Sequence, residues 1–160
     1  MNEKEMPKTA ISSGGIKIRG EAREELIKRL IREFEKIDKE SQKEYEDYLE
    51  KRSVITHYDY TEGYIKIDRD KKEIEIYDNN ATGFARQPIR EISGYLKIDS
   101  WKITFYVEEA SGLVSRNIWK RAREVIKSLP VEIISEFSFE EKIGDDIVAT
   151  GNTIEDLKYL

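Results

Sequence analysis

At 160 residues the chain is the size of one domain and long enough to bury well over half of its unfolded surface in a single core. Its 33 acidic and 28 basic residues leave a formal net charge of −5, so affinity for a polyanion has to come from a local patch rather than from bulk charge. Cysteine is absent, which excludes disulfides, thiolate metal sites and cysteine nucleophiles together.

Charged residues make up 38% of the chain, against roughly 25% in ordinary soluble domains. Abundant Ile and 10% aromatic residues argue against disorder. Glu, Lys and Ile dominate and Gln is nearly absent, a combination that heat-adapted proteins favour because ion pairs cost less to desolvate when hot. The composition therefore leads us to expect a thermophilic source, an archaeon or an archaeal virus. No apolar run reaches the length of a bilayer span, and the start, MNEKEMPKTAISSGG, lacks the apolar core of a secretion signal. The expected location is intracellular, in the cytoplasm.

Residues 1–15 are polar, contain Pro7 and end in Ser12-Ser13-Gly14-Gly15, which reads as a flexible N-terminal arm ahead of a single domain over 16–160. From 21 to about 51 there is no Pro or Gly, and Ala22, Leu26, Leu30, Ile31, Phe34 and Ile37 recur at helical spacing. Tyr45, Tyr48 and Leu49 continue the stripe beyond Asp38, where the pattern becomes more polar. That second half would project into solvent, pack on a partner chain, or break near Asp38. Ile27, Phe34 and Tyr48 share a seven-residue phase interrupted by Ser41 and Glu44, so a homodimer through this helix is compatible with the pattern but not specified by it.

Strand patterns follow. Residues 54–61 alternate, and then two similar stretches occur, YIKIDRDKKEIEIYD from Tyr64 and YLKIDSWKITFYVEE from Tyr95. Each reads as a β-hairpin. A first turn centred on Asp70-Lys71 opposes Ile67 to Ile74, Ile65 to Ile76, Lys66 to Glu75 and Tyr64 to Tyr77. A second turn centred on Ser100-Trp101 opposes Ile98 to Ile103, Leu96 to Phe105, Tyr95 to Tyr106 and Asp99 to Lys102. The likeness is structural, since the shared positions are those that pair and the turns differ. Between the hairpins, NNATGFARQPIR (79–90) has loop chemistry.

A second helix follows, with Ser115 as N-cap, an apolar stripe of Ile118, Ala122, Val125 and Leu129, and Pro130 as terminator. Residues 131–143 alternate as a long strand, Gly144-Asp145-Asp146 turns into a short strand over 147–150, and Thr153 with Asp156 forms a capping box for a terminal helix. The order implies an α+β fold: one antiparallel sheet of six to seven strands packed by the long helix and the second helix, in the manner of cystatin-like or helix-grip proteins.

The strongest candidate site is the basic face of the second helix. Arg116, Lys120, Arg123 and Lys127 recur along one side, opposite the apolar stripe, with Arg121 widening the row and Trp119 flanking it. Such a row can track phosphates while Trp119 stacks on a base; the bland reading is a solvated face paired with acidic neighbours. Arg86 and Arg90, near Gly83 and Phe84 in the 79–90 loop, could clamp an anion. His57 and Asp59 share a strand face, but no nucleophile is placed for them, and a surface histidine is the simpler reading. Glu140 with Lys142 is the strand-borne fragment of a nuclease-type carboxylate motif, though similar triplets recur by chance in so charged a chain. No phosphate-binding loop, nucleophile elbow or dinucleotide fingerprint is present. The expected function is a non-enzymatic binding protein without a cofactor, contacting DNA, RNA or an acidic protein. The alternatives are a small metal-dependent nuclease and an oligomeric scaffold.

Overall fold

The helical spacing of the N-terminal third is realised as one unbroken helix, α1 (Gly20–Glu50), about 46 Å long at 1.5 Å per residue. The computed structural model describes residues 11–12, 15–16, 20–51, 62–80, 88–109 and 117–160. The expected strand over 54–61, with His57 and Asp59, and the expected Ser115 cap lie outside these residues. Ahead of α1, β1 (Ile11–Ser12) and β2 (Gly15–Ile16) form a minimal antiparallel ladder.

Six strands make the main sheet: β3 (Glu62–Asp68), β4 (Glu73–Asn80), β5 (Arg90–Ile98), β6 (Trp101–Glu109), β7 (Ile134–Ile143) and β8 (Asp146–Gly151). Between β6 and β7 lies α2 (Ile118–Lys127), and the chain ends in a 3₁₀ helix (Ile154–Tyr159) whose Thr153–Asp156 capping box is formed as expected. The fold class is α+β, a helix-packed sheet with both helices on one face.

The sheet is mixed rather than wholly antiparallel. Its order is β3-β4-β6-β5-β7-β8, and β4 runs parallel to β6. The reason is topological: β5 starts one strand away from β4, and its hairpin partner β6 returns into the gap between them. The first hairpin has the expected register, Ile67 with Ile74 through Tyr64 with Tyr77. In the second, Ile98 faces Trp101 and Leu96 faces Ile103: each residue's partner is shifted by two from the expected pairing and the two-residue turn sits one position earlier. Asp99 adopts a left-handed backbone (φ 52°), which closes the turn over Asp99 and Ser100 alone. A slip of two preserves the faces, so the same apolar residues still point inward.

The core lies between the helices and the inner sheet face. Phe34, Ile74, Ile76, Leu96, Ile98, Ile103, Ile118 and Ile126 are fully buried. The polar second half of α1 neither breaks nor projects. Asp38 Oδ1 accepts from the Ile65 amide at 2.8 Å, and Gln42 Nε2 donates to the Gly63 carbonyl at 2.7 Å. These side chains occupy hydrogen-bonding groups on the outer edge of β3, which would otherwise be a template for strand addition. Ser41 and Tyr45 are buried beneath them. The apolar stripe of α1 is therefore used within the chain.

Candidate interaction surfaces

Ile118, Trp119, Ala122 and Ile126 turn towards the core, leaving Lys120, Glu124 and Lys127 on the outward side of α2. Trp119 is 2% exposed and its ring stacks on Phe105 at 4.9 Å between centroids. Its expected place beside the basic row is thus corrected: the helix phase directs the indole into the core, where it offers no face to a base. Lys120 is exposed and makes no ion pair among the described residues. Lys127 is exposed and its Nζ donates to the Leu160 main-chain oxygen at 3.2 Å. Arg123 is half-buried at the flank away from α1, 3.5 Å from Glu124. Arg121 points the other way, into α1, where it pairs with Glu40 and Glu44. A cleft of ≈ 450 Å³ separates the two helices, lined by Glu33, Lys36, Lys120 and Glu124 among others, so its charge is mixed.

The start of α2 is held by a residue that sequence reasoning missed. Asp78 on β4 is 1% exposed; its Oδ2 accepts from the Trp119 amide at 2.9 Å and its Oδ1 from Asn80 Nδ2 at 3.0 Å. A carboxylate at this point satisfies an orphan helix donor and favours the positive end of the helix dipole. Asn117, at the N-cap position, has a left-handed backbone and gives no side-chain cap. The signal for Asp78 was an acid at an inward strand position, Ile74-Ile76-Asp78, which is rarely left without a buried partner.

Arg90 lies at the same end of the sheet, but its charge is already engaged. Its Nε donates to Glu141 Oε2 at 2.6 Å and its Nη1 to Glu109 Oε1 at 2.9 Å, which clamps β5 to both neighbours. Arg86 and Arg116 lie outside the described residues. The structure therefore groups Lys120, Arg123 and Lys127 on one helix and sets Arg90 apart from them.

The outer face of the sheet carries a second surface. Tyr64, Tyr77 and Tyr106 are aligned across β3, β4 and β6, with centroids 5.2 Å and 6.0 Å apart. Tyr64 Oη donates to Glu75 at 2.8 Å, and this bond with burial and the nearby carboxylate charge pushes its pKa up to about 12. Burial, together with Glu108 and Glu91, likewise raises Tyr106. Both phenols stay neutral at physiological pH. Glu140 and Lys142 point out on the same face, but among the described residues no three His, Cys, Asp or Glu side chains are grouped to hold a metal ion.

Compared with protein-family models, curated proteins and solved structures, the chain matches none. Among the described residues no helix is long and apolar enough to cross a membrane.

Proposed function

We propose that the chain is a non-enzymatic interaction protein that uses the outward face of α2 to contact a nucleic acid. The observation that carries this reading is the position of Lys120 and Lys127, both exposed, two turns apart on one side of a helix anchored by Asp78 and Trp119. Arg123 flanks them, and Arg116 continues the same spacing in sequence. The contact is to phosphates and not to bases, because the aromatic residue of this helix is in the core. Binding is accordingly independent of sequence and weak, a few cations set on a chain of net charge −5. An intracellular setting and a thermophilic source accord with this reading, the latter through ion pairs that join distant elements, such as Arg23 with Asp99 and Arg69 with Glu35.

The test is fluorescence anisotropy with a labelled DNA duplex and a labelled RNA strand at low salt. Charge reversal at Lys120, Arg123 and Lys127 should weaken binding by at least about tenfold while leaving the far-UV spectrum unchanged. Equal binding by the reversed variant, or none by the wild type, overturns the reading. Binding of an acidic protein instead would reassign the ligand of the face.

A further inference from the structure

Among the described residues nothing covers the sheet face away from the helices, and no outward residue of β3 to β7 is buried. One register row crosses all six strands as Tyr64, Tyr77, Tyr106, Ser93, Glu140 and Thr150. Its first half is an aromatic ribbon. Its second half is a trough of ≈ 500 Å³ whose lining includes Ser93, Gly94, Ser138 and Gly151 and the carboxylates Glu140 and Asp156. Gly94 and Gly151 present only main chain to it; a Cβ on either would point to the opposite, inner face, 2.7 Å and 2.4 Å from the rings of Phe105 and Phe139.

The charge around this row is mainly acidic. With the outward rows on either side, it carries Glu62, Glu75, Glu91, Glu108 and Glu140 against Lys66, whose Nζ lies 6.0 Å from the Tyr64 ring centroid, and Lys142. Glu91 and Glu108 are directly opposed across β5 and β6, an unfavourable like-charge pair on an open surface. Carboxylates retain further acceptor sites beyond the tyrosine hydroxyls they bind.

We propose that this face docks a basic protein segment, an arginine- and lysine-bearing stretch laid across the strands along the Tyr64-to-Thr150 row. Guanidinium planes stack on tyrosine faces and pair with adjacent carboxylates. A long side chain reaching into the trough meets Glu140 at its end. The opposed pair Glu91 and Glu108 is relieved by a cation between them. The row spans six strands at about 4.8 Å spacing, which suits an extended ligand with several side chains rather than a single ion. Phosphates would meet carboxylates, so the face rejects nucleic acid. This inference does not rest on the role of α2, which lies on the opposite side of the sheet.

The test uses the full chain and a fluorescein-labelled peptide of alternating arginine and glycine, with a glutamate-glycine peptide as blank. The variant E91Q/E108Q/E140Q should weaken arginine-peptide binding by at least about tenfold, and Y77L/Y106L should weaken it severalfold. A charge-matched control on the exposed side of α1, E25Q/E33Q/E46Q, should change it less than about twofold, as should K120E/R123E/K127E. Equal loss in the α1 control, or no loss in the sheet variants, overturns the proposal. Self-association at low salt that is abolished by both the sheet variant and the α2 variant would also overturn it, by making the occupant a second copy. Tighter binding of labelled oligouridine through the same residues would overturn it too.

Discussion

Asp78 Oδ2 lies 2.9 Å from the Trp119 amide, so a carboxylate near the end of β4 caps a helix that begins forty residues later. The cap and the Phe105–Trp119 stack together set the rotation of α2. That rotation decides which of its cations reach solvent. Asp78→Ala leaves the Trp119 amide and Asn80 Nδ2 buried without this acceptor, and should cost about 2–3 kcal/mol of unfolding free energy in urea titrations. Asp78→Asn should cost less, since its side-chain oxygen still caps.

Asp38 and Gln42 cover the β3 edge. Asp38→Ala should cost about 1–2 kcal/mol and, by freeing the Ile65 amide, raise the rate of thioflavin-positive aggregation. Aggregation no faster than wild type at equal unfolded fraction would show that the edge needs no cover.

Gly94 faces Phe105 and Phe139 on the two neighbouring strands. A Cβ there would lie 2.2 Å from the Ser138 carbonyl oxygen and 2.8 Å from the Phe139 Cα, both main-chain atoms that cannot rotate away. Gly94→Ala should therefore destabilise by at least about 3 kcal/mol, measured by denaturant melting, with β7 losing amide protection first.

Asp156 accepts from the Thr153 and Asn152 amides and from the Thr153 hydroxyl, and these bonds, Thr153 first, hold its carboxyl below the usual carboxylate range. A folded-state pKa below the unfolded one means that the unfolded chain takes up the proton first. The bonds thus stabilise fully above the ordinary carboxylate pKa near about 4 and are lost as pH falls through the folded value. Acid should loosen the packing of Leu157 and Leu160 before the sheet opens, seen as early exchange of the Leu157 amide. Asp156→Asn should remove that acid step.

Where the chemistry was local, it could be read from the chain. The first hairpin keeps its register because a four-residue charged turn joins strands whose apolar and charged partners agree at every step. The second offered two registers that differ by two residues and are equal in face pattern. Asp99, with its left-handed backbone and its bonds to Arg23, selects the one whose turn is Asp99-Ser100. The parallel β4–β6 pair is a relation between hairpins that no local pattern encodes. Of the basic row, spacing correctly placed Lys120 and Lys127 outward, but it set Trp119 at the rim because a ten-residue helix leaves its phase to tertiary contacts. The ion partners of Arg90 and Arg121 come from residues far away in sequence, and so do the aligned tyrosines.

On the proposed reading, α2 binds phosphates through a few exposed cations and no chemistry follows. Duplex affinity measured across a salt series, with and without Mg²⁺, tests it most directly. Log K should fall against log salt with a slope of about −2 to −3, as few phosphate contacts require. This slope should flatten in K120E/R123E/K127E, and the duplex should stay intact in Mg²⁺. Affinity indifferent to salt, or Mg²⁺-dependent cleavage lost in Glu140→Gln, would contradict that reading.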